Sequence, residues 1–172
     1  MASVLQTYVN MLQLRAGPQD LPASDRVFLG SVAALIGVSL LVATTIYPAR
    51  LALVRIGIDL LLQIVVVASL LHWAGHPRRF RQTFAAMCGT GVLLILLMWP
   101  LIDILHDRAP EETLTGAATI GLFGLYGWSI AVIAHILRHA LELRMAQAVL
   151  LALGYFIGSV IVVETLAPVP GP

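Results

Sequence analysis

Asp59 sits inside a long apolar run, residues 51–74, with Arg55 one helical turn before it and Gln63 one turn after. On a helix the three share one face. Burying a charge in lipid costs about 3 kcal/mol or more, so this face admits two readings. In the first, Arg55 snorkels to the nearer interface and neutralises Asp59 as a local ion pair. In the second, Asp59 belongs to a proton or cation path. One face of one helix offers little polar lining for a path, and the ion pair is the expectation.

Histidines supply the other candidate chemistry. His72 and His76 are four apart at the end of the same run, and His135 and His139, followed by Glu142, repeat the spacing later. Two ligands at i and i+4 on a helix can share a metal. Gly75 and Pro77 flank His76, however, and histidines at a membrane interface need no metal, so no metal and no cofactor are expected. Asp103, His106 and Asp107 could share a face at a helix C-terminus, where the dipole disfavours acids. Glu111 and Glu112 follow Pro110 and suit the first turn of a helix. The single Cys88 has no internal disulfide partner and reads as a packing residue. The chain carries no G-x-S-x-G, no H-E-x-x-H, no phosphate-binding glycine loop and no pair of intramembrane aspartates, and an enzyme is not expected.

The elements that must position these residues are five apolar stretches, 27–47, 51–74, 84–102, 114–137 and 146–163. At about 1.5 Å per residue each can cross a hydrocarbon core of about 30 Å, the last with help from its flanks. Backbone groups cannot go unpaired in lipid, so such segments must be helices. Hydrophobic residues make up 59% and charged residues 11% of the 172, far from the averages of a soluble domain. The expected fold is an all-α integral membrane protein, a five-helix bundle preceded by a short interfacial amphipathic helix. Residues 1–24 form the cytoplasmic helix and its connector, 25–167 the bundle, and 168–172 a short Pro-rich tail. The 172 residues leave no room for a soluble catalytic module, and a net charge of +1 argues against nucleic acid as a partner.

The chain has no lysine, so arginine alone sets the orientation. Arg15, Arg26, Arg78, Arg79, Arg81, Arg138 and Arg144 fall on one side, and Arg50, Arg55 and Arg108 on the other, with Asp103, Asp107, Glu111, Glu112 and Glu164. The positive-inside rule puts the N-terminus in the cytoplasm and the C-terminus outside. Tyr47, Trp73 and Trp99 suit the aromatic belts, whereas Trp128 falls mid-span and reads as packing. Before the first span no basic n-region marks a cleavable signal peptide, and that span reads as an uncleaved anchor. Ser3 can cap a helix over 3–15 with Val4, Tyr8, Met11 and Leu12 on one side and Gln6, Thr7, Asn10 and Gln13 facing away. Such a helix suits the cytoplasmic interface or a dock on the bundle. Gly17-Pro18 should stop it, and Ser24 is placed to cap the first span.

Small residues suggest how the helices pack. Gly30, Ala34 and Gly37 line one side of the first span, Gly121, Gly124 and Gly127 recur through the fourth, and Gly154-x-x-x-Gly158 marks the fifth. Such spacing permits close backbone approach, within the chain or across a homodimer seam. Pro100 should kink the third span near its outer end. The turn between the fourth and fifth spans, 138–144, has neither Gly nor Pro. A hairpin is still forced there, because one continuous helix of both spans would be about 75 Å long.

Five spans, an amphipathic cytoplasmic N-terminus and a very short outer C-terminus resemble the Yip-type membrane proteins. The Gly154-Tyr155 pair is similar to Gly-Tyr pairs in that family. Its eukaryotic members interact with Rab-type GTPases, and its bacterial relatives are mostly of unassigned role. The Asp-Leu-Tyr-Gly-Pro type of segment of the eukaryotic members is replaced here by Gly17-Pro18-Gln19-Asp20-Leu21-Pro22, so no GTPase-binding residue carries over. Arg-, Ala- and Leu-rich usage without lysine points to a bacterial inner (cell) membrane. The leading functional reading is a non-enzymatic accessory or scaffold membrane protein that acts in the bilayer through helix packing with itself, as a homo-oligomer, or with another membrane protein. The alternative is a small transporter or ion-conducting subunit that uses the Asp59 face.

Overall fold

The computed structural model describes residues 3–107 and 112–169. Every regular element among them is helical: α1 Val4–Leu12, α2 Asp25–Ile46, α3 Ala49–Trp73, α4 Phe80–Asp107, α5 Glu112–Leu141 and α6 Met145–Leu166, with short 3-10 turns at Pro18–Asp20 and Pro77–Arg79. The last five helices are long and apolar enough to cross a membrane, and the chain is an integral membrane protein. The expectations resting on His106, Asp107, Arg108, Pro110, Glu111 and Glu112 lie outside the described residues and side chains. So do residues 1–2 and 170–172.

α4 and α5 run past their apolar stretches because tertiary partners hold their polar ends. In the first turn of α4, Arg81 reaches Asp25 Oδ1 at 2.5 Å and Gln82 donates to the Leu21 carbonyl at 2.7 Å. α4 also runs through Pro100 to Asp107. Around the bundle, α2 packs on α4, α4 on α5 and α5 on α6, while α3 touches both α2 and α6. The ring therefore closes in the order α2, α3, α6, α5, α4.

Packing along this ring is uneven. Residues 83–90 of α4 are buried without a break. Of these, Phe84, Ala85, Ala86, Met87 and Cys88 form the main apolar core with Leu71 of α3, Met11 of α1 and Val132, Ile136 and Ala140 of α5. Phe28, Phe80 and Phe84 add a ring cluster, the last two stacked at 5.3 Å. All of this lies in the half of the bundle toward the Arg78–Arg81 turn, so that half is shut. Cys88 is fully buried in it as a packing residue.

The amphipathic N-terminal segment is a helix docked on the bundle, against α4 and α5. Ser3 Oγ caps it, accepting from the Gln6 N–H at 3.2 Å. Tyr8 and Met11 are buried, and so is Thr7, which corrects its placement on the outward side; its hydroxyl is satisfied by the Ser3 carbonyl at 3.4 Å. Polar contacts fix its depth: the Tyr8 hydroxyl meets Ser31 Oγ at 2.6 Å, Trp128 Nε1 donates to the Leu12 carbonyl at 3.1 Å, and His135 Nε2 lies 3.0 Å from the Ala16 carbonyl. A carbonyl only accepts, so His135 carries its proton on Nε2. Trp128 thus anchors α1 through its indole N–H, which corrects its reading as a packing residue. Ser24 stands at the N-cap of α2 without a side-chain bond; its carbonyl, not its hydroxyl, meets the Phe28 N–H at 3.0 Å.

The chain reverses in the same way at three places. Leu14, Gly75 and Glu142 have φ of 59°, 77° and 58°. Each is followed by a bond closing back over the helix end: Arg15 N–H to Asn10 O at 2.8 Å, His76 N–H to Leu71 O at 2.8 Å and Leu143 N–H to Arg138 O at 3.1 Å. Only Gly75 takes this conformation freely; at the other two it costs about 1 kcal/mol or more. α1 therefore ends at Leu12, with Gln13 as its C-cap and Leu14 in the reversal, ahead of residue 15 and of the Gly17-Pro18 stop that its sequence announces. At the second non-glycine turn Arg79 supplies the offset, donating to Glu142 Oε1 at 2.6 Å and to the Ala140 carbonyl at 3.1 Å.

This contact makes the α5–α6 turn pH-dependent. The Arg79 hydrogen bond and charge hold the Glu142 carboxyl below the usual glutamate range. A carboxyl whose folded-state pKa is depressed contributes stability above its unfolded pKa and loses it as pH falls through the folded value. Melting in detergent should therefore drop more between pH 6 and pH 3 for the wild type than for Glu142→Gln, by a small margin because the pair is exposed. Equal drops would show that Arg79 does not stabilise this turn.

The small-residue faces behave differently from expectation. Gly121 does pack closely, with a Leu101 methyl 3.2 Å from where its Cβ would lie, but a Cβ at Gly30, Gly37, Gly124, Gly127, Gly154 or Gly158 would meet nothing within 4 Å. These six do not bring helices together within the chain. The close approaches fall at Gly91, against Leu35, and at Gly89, against the Tyr8 ring. Helix spacing identifies a small-residue face; which faces meet depends on the ring order.

Candidate functional site

The polar face of α3 turns toward α6, and the two helices run antiparallel with their polar residues in register. Arg55 lies opposite Glu164 and Asp59 opposite Ser159, while Tyr155, one turn before Ser159, lines the same cavity as Gln63. Arg55 is a partner of Glu164, not of Asp59. Its guanidinium makes a short contact to Glu164 Oε1, a second at 3.4 Å to Oε2, and a 2.6 Å bond to the Ala167 carbonyl. Its Cζ also lies 5.1 Å above the Tyr47 ring, a cation–π contact. The expected Arg55–Asp59 ion pair is therefore corrected: α6 offers Arg55 both a carboxylate and a helix-end carbonyl, which the neighbouring turn of α3 cannot match.

Asp59 is left with a neutral partner, the Ser159 hydroxyl, which donates to Oδ1 in a short contact. Gln63 is 6% exposed and has no hydrogen-bond partner among the described residues. No side-chain N or O that is itself buried lacks a partner among the described residues, so the Gln63 amide reaches open space. A cavity of about 450 Å³ lies behind the Tyr47, Arg55 and Glu164 side chains and reaches Asp59. A second, of about 270 Å³, continues past Asp59 to Gln63, Thr90, Tyr155 and Phe156. Asp59, Tyr126 and Ser159 line both cavities, which makes them successive parts of one chamber.

The chamber draws on all five long helices. Ser39 comes from α2, Arg55, Asp59 and Gln63 from α3, Thr90 from α4, Tyr126 and Ser129 from α5, and Tyr155 and Ser159 from α6. Thr90 and Ser129 direct their hydroxyls to carbonyls of their own helices, the usual satisfaction of a hydroxyl within a helix. The phenols of Tyr126 and Tyr155, like the Gln63 amide, have no hydrogen-bond partner among the described residues and are free to meet a bound molecule. Toward the Arg78–Arg81 turn the chamber ends on Met87 and Ile133 at the top of the apolar core. Its outer part reaches Glu164.

The four histidines with described side chains, His72, His76, His135 and His139, do not come together as one ligand set. α3 ends at Trp73 and the chain reverses at Gly75, so His76 leaves the face of His72, which is exposed. His76 instead lies 3.9 Å from Glu142, a residue already held by Arg79. The His135 and His139 rings meet edge-on at 4.5 Å, but His135 uses Nε2 on the Ala16 carbonyl. Among the described residues no three His, Cys, Asp or Glu side chains are grouped to hold a metal ion.

Gln63 was legible from α3 alone. The α6 half of the site carried a signal as well: Tyr155 and Ser159 are one turn apart in an otherwise apolar helix, with Glu164 beyond them. Tyr126 carried none, since a tyrosine amid Gly124 and Gly127 reads as packing. Compared with family models, with curated proteins and with solved structures, the chain matches none.

Proposed function

We propose that the chain binds a small cationic solute in the chamber around Asp59 and acts as a small transporter or ion-conducting subunit. The observation that carries this reading is the pairing of Arg55 with Glu164, which leaves Asp59 without a basic partner beside the unpartnered Gln63 amide. A carboxylate at that depth needs a counter-charge, and the chamber leaves room for one to arrive from outside the fold. The arginine distribution supports an inner-membrane orientation with α1 at the cytoplasmic side, which would turn the Glu164 end of the chamber to the outer face. A relation to the Yip-type proteins rests on the topology and the Gly154-Tyr155 pair and assigns no functional residue here.

Proteoliposome flux of protons and monovalent cations tests the reading. Asp59→Asn keeps the shape and the Ser159 contact and removes the charge, so it should melt like the wild type while flux falls about tenfold or more. Wild-type flux in Asp59→Asn would overturn the proposal. The second reading, an accessory protein acting through helix packing, is favoured by the open space beside Gly30, Gly37, Gly124, Gly127, Gly154 and Gly158. Its mark would be a stoichiometric membrane partner, or a second copy, held in mild detergent.

A further inference from the structure

We infer that the inner part of the chamber takes a small organic ammonium, an amine or methylated ammonium group, in preference to a metal cation. The inference rests on the reading of the chamber as a cation site and names the kind of cation. The inner cavity, about 270 Å³, is walled by three aromatic rings, Tyr126, Tyr155 and Phe156, and holds one carboxylate, Asp59. Tyr126 and Phe156 stand 5.8 Å apart with their planes inclined at 58°, which gives a concave corner. A ring face attracts an organic cation through its quadrupole, most strongly where water is excluded.

A metal ion would find poor coordination in the same place. Hard cations of the calcium and magnesium type take about six or more oxygen ligands. Here the charged oxygens come from Asp59 alone, and one of them is already engaged by Ser159. No three-ligand group occurs among the described residues, and much of the remaining inner wall is apolar, with Leu94, Met98 and Val160 among its residues. An alkylammonium turns these features to use: its methyl or methylene groups meet apolar walls and ring faces, and its charge meets Asp59. The Gln63 amide oxygen and the phenols can accept N–H bonds from a primary amine. The mouth repeats the motif, because Arg55 already lies over the Tyr47 ring beside Glu164. An incoming ammonium could occupy the same ring and carboxylate if that guanidinium swung aside.

Isothermal titration of the full chain in mild detergent with tetramethylammonium, methylammonium and potassium chlorides tests this. Either ammonium ion should bind at least about tenfold more tightly than potassium, and Asp59→Asn should remove that binding. Tyr126→Leu and Phe156→Leu should each weaken it about fivefold, and Tyr126→Phe, which keeps the ring, should not. If Phe156→Leu fails to fold, the Tyr126→Leu and Tyr126→Phe pair decides. Potassium binding or proton flux that depends on Asp59, with no preference for ammonium ions and no effect of ring loss, would overturn this inference and leave the cation chamber standing. No binding of any of the three salts, together with flux unchanged in Asp59→Asn, would overturn both.

Discussion

Gly89→Ala should release α1 from the bundle. A Cβ at this position would overlap the Tyr8 ring, with Cδ1 only 2.7 Å away. The obstacle is a buried ring held by its hydroxyl on Ser31, not the loose end of a flexible chain. α4 cannot yield either, because residues 83–90 are buried on all sides. Overpacking of this kind costs about 1–3 kcal/mol, and the Tyr8–Ser31 hydrogen bond would be lost with it. Melting in detergent should fall, and a spin label at Gln6 should become mobile while the five long helices keep their helicity. Adding Tyr8→Ala to Gly89→Ala should restore part of the melting temperature, because the pair would again fit. Unchanged melting and an immobile label in Gly89→Ala would show that α1 is not seated on Gly89.

Arg55→Gln should destabilise the Glu164 end of the bundle, and a double-mutant cycle should assign the loss to Glu164. Arg55 joins the C-terminal end of α6 to α3 through the Glu164 carboxylate and the Ala167 carbonyl. Hydrogen bonds to a charged group are worth about 1.5–3 kcal/mol each. Glu164 is half exposed, so solvent screening reduces the loss well below the sum of these bonds. Glu164→Gln alone should lose less, and the two changes together less than their sum, which is a measurable coupling between the two residues. The Arg55–Asp59 pair should show none. Coupling to Asp59 in place of Glu164 would restore the local ion pair along α3 and remove the main argument for an uncompensated carboxylate.

The contrast between these two pairings explains what could be read from the chain. Arg55, Asp59 and Gln63 recur at the helical period within one apolar run, and a period is a local property, so the existence of the polar face was visible. Its partners were not: Ser159 and Glu164 lie 100 and 109 residues away from Asp59 and Arg55. Their antiparallel register depends on α3 and α6 becoming neighbours, although their connections lead to other helices. Gly89 was passed over for the same reason. Ala85 and Gly89 are four apart, a small-residue spacing that does not name its partner, and what makes Gly89 matter is a tyrosine 81 positions away in sequence. Conversely, the patterned glycines of α2 and α6, with Gly124 and Gly127 of α5, satisfied a local rule at positions that no other helix of the chain approaches.

Turns divide along the same line. Gly75 announced itself, because a residue without a Cβ is the cheap occupant of a left-handed position. Leu14 and Glu142 did not, since their strain is offset by contacts that form only on folding, the packing of Leu14 on the core and the Arg79 bonds of Glu142. The amino-acid sequence by itself determined that five segments must be membrane helices, because lipid offers the backbone no partner but itself and each segment is long and apolar enough to comply. It also determined that a carboxylate lies within one of them. Only the tertiary structure decided that this carboxylate faces a chamber and not an arginine. In a medium where apolar burial scarcely distinguishes one helix face from another, the arrangement follows from side-chain fit and a few polar contacts between helices far apart in the chain.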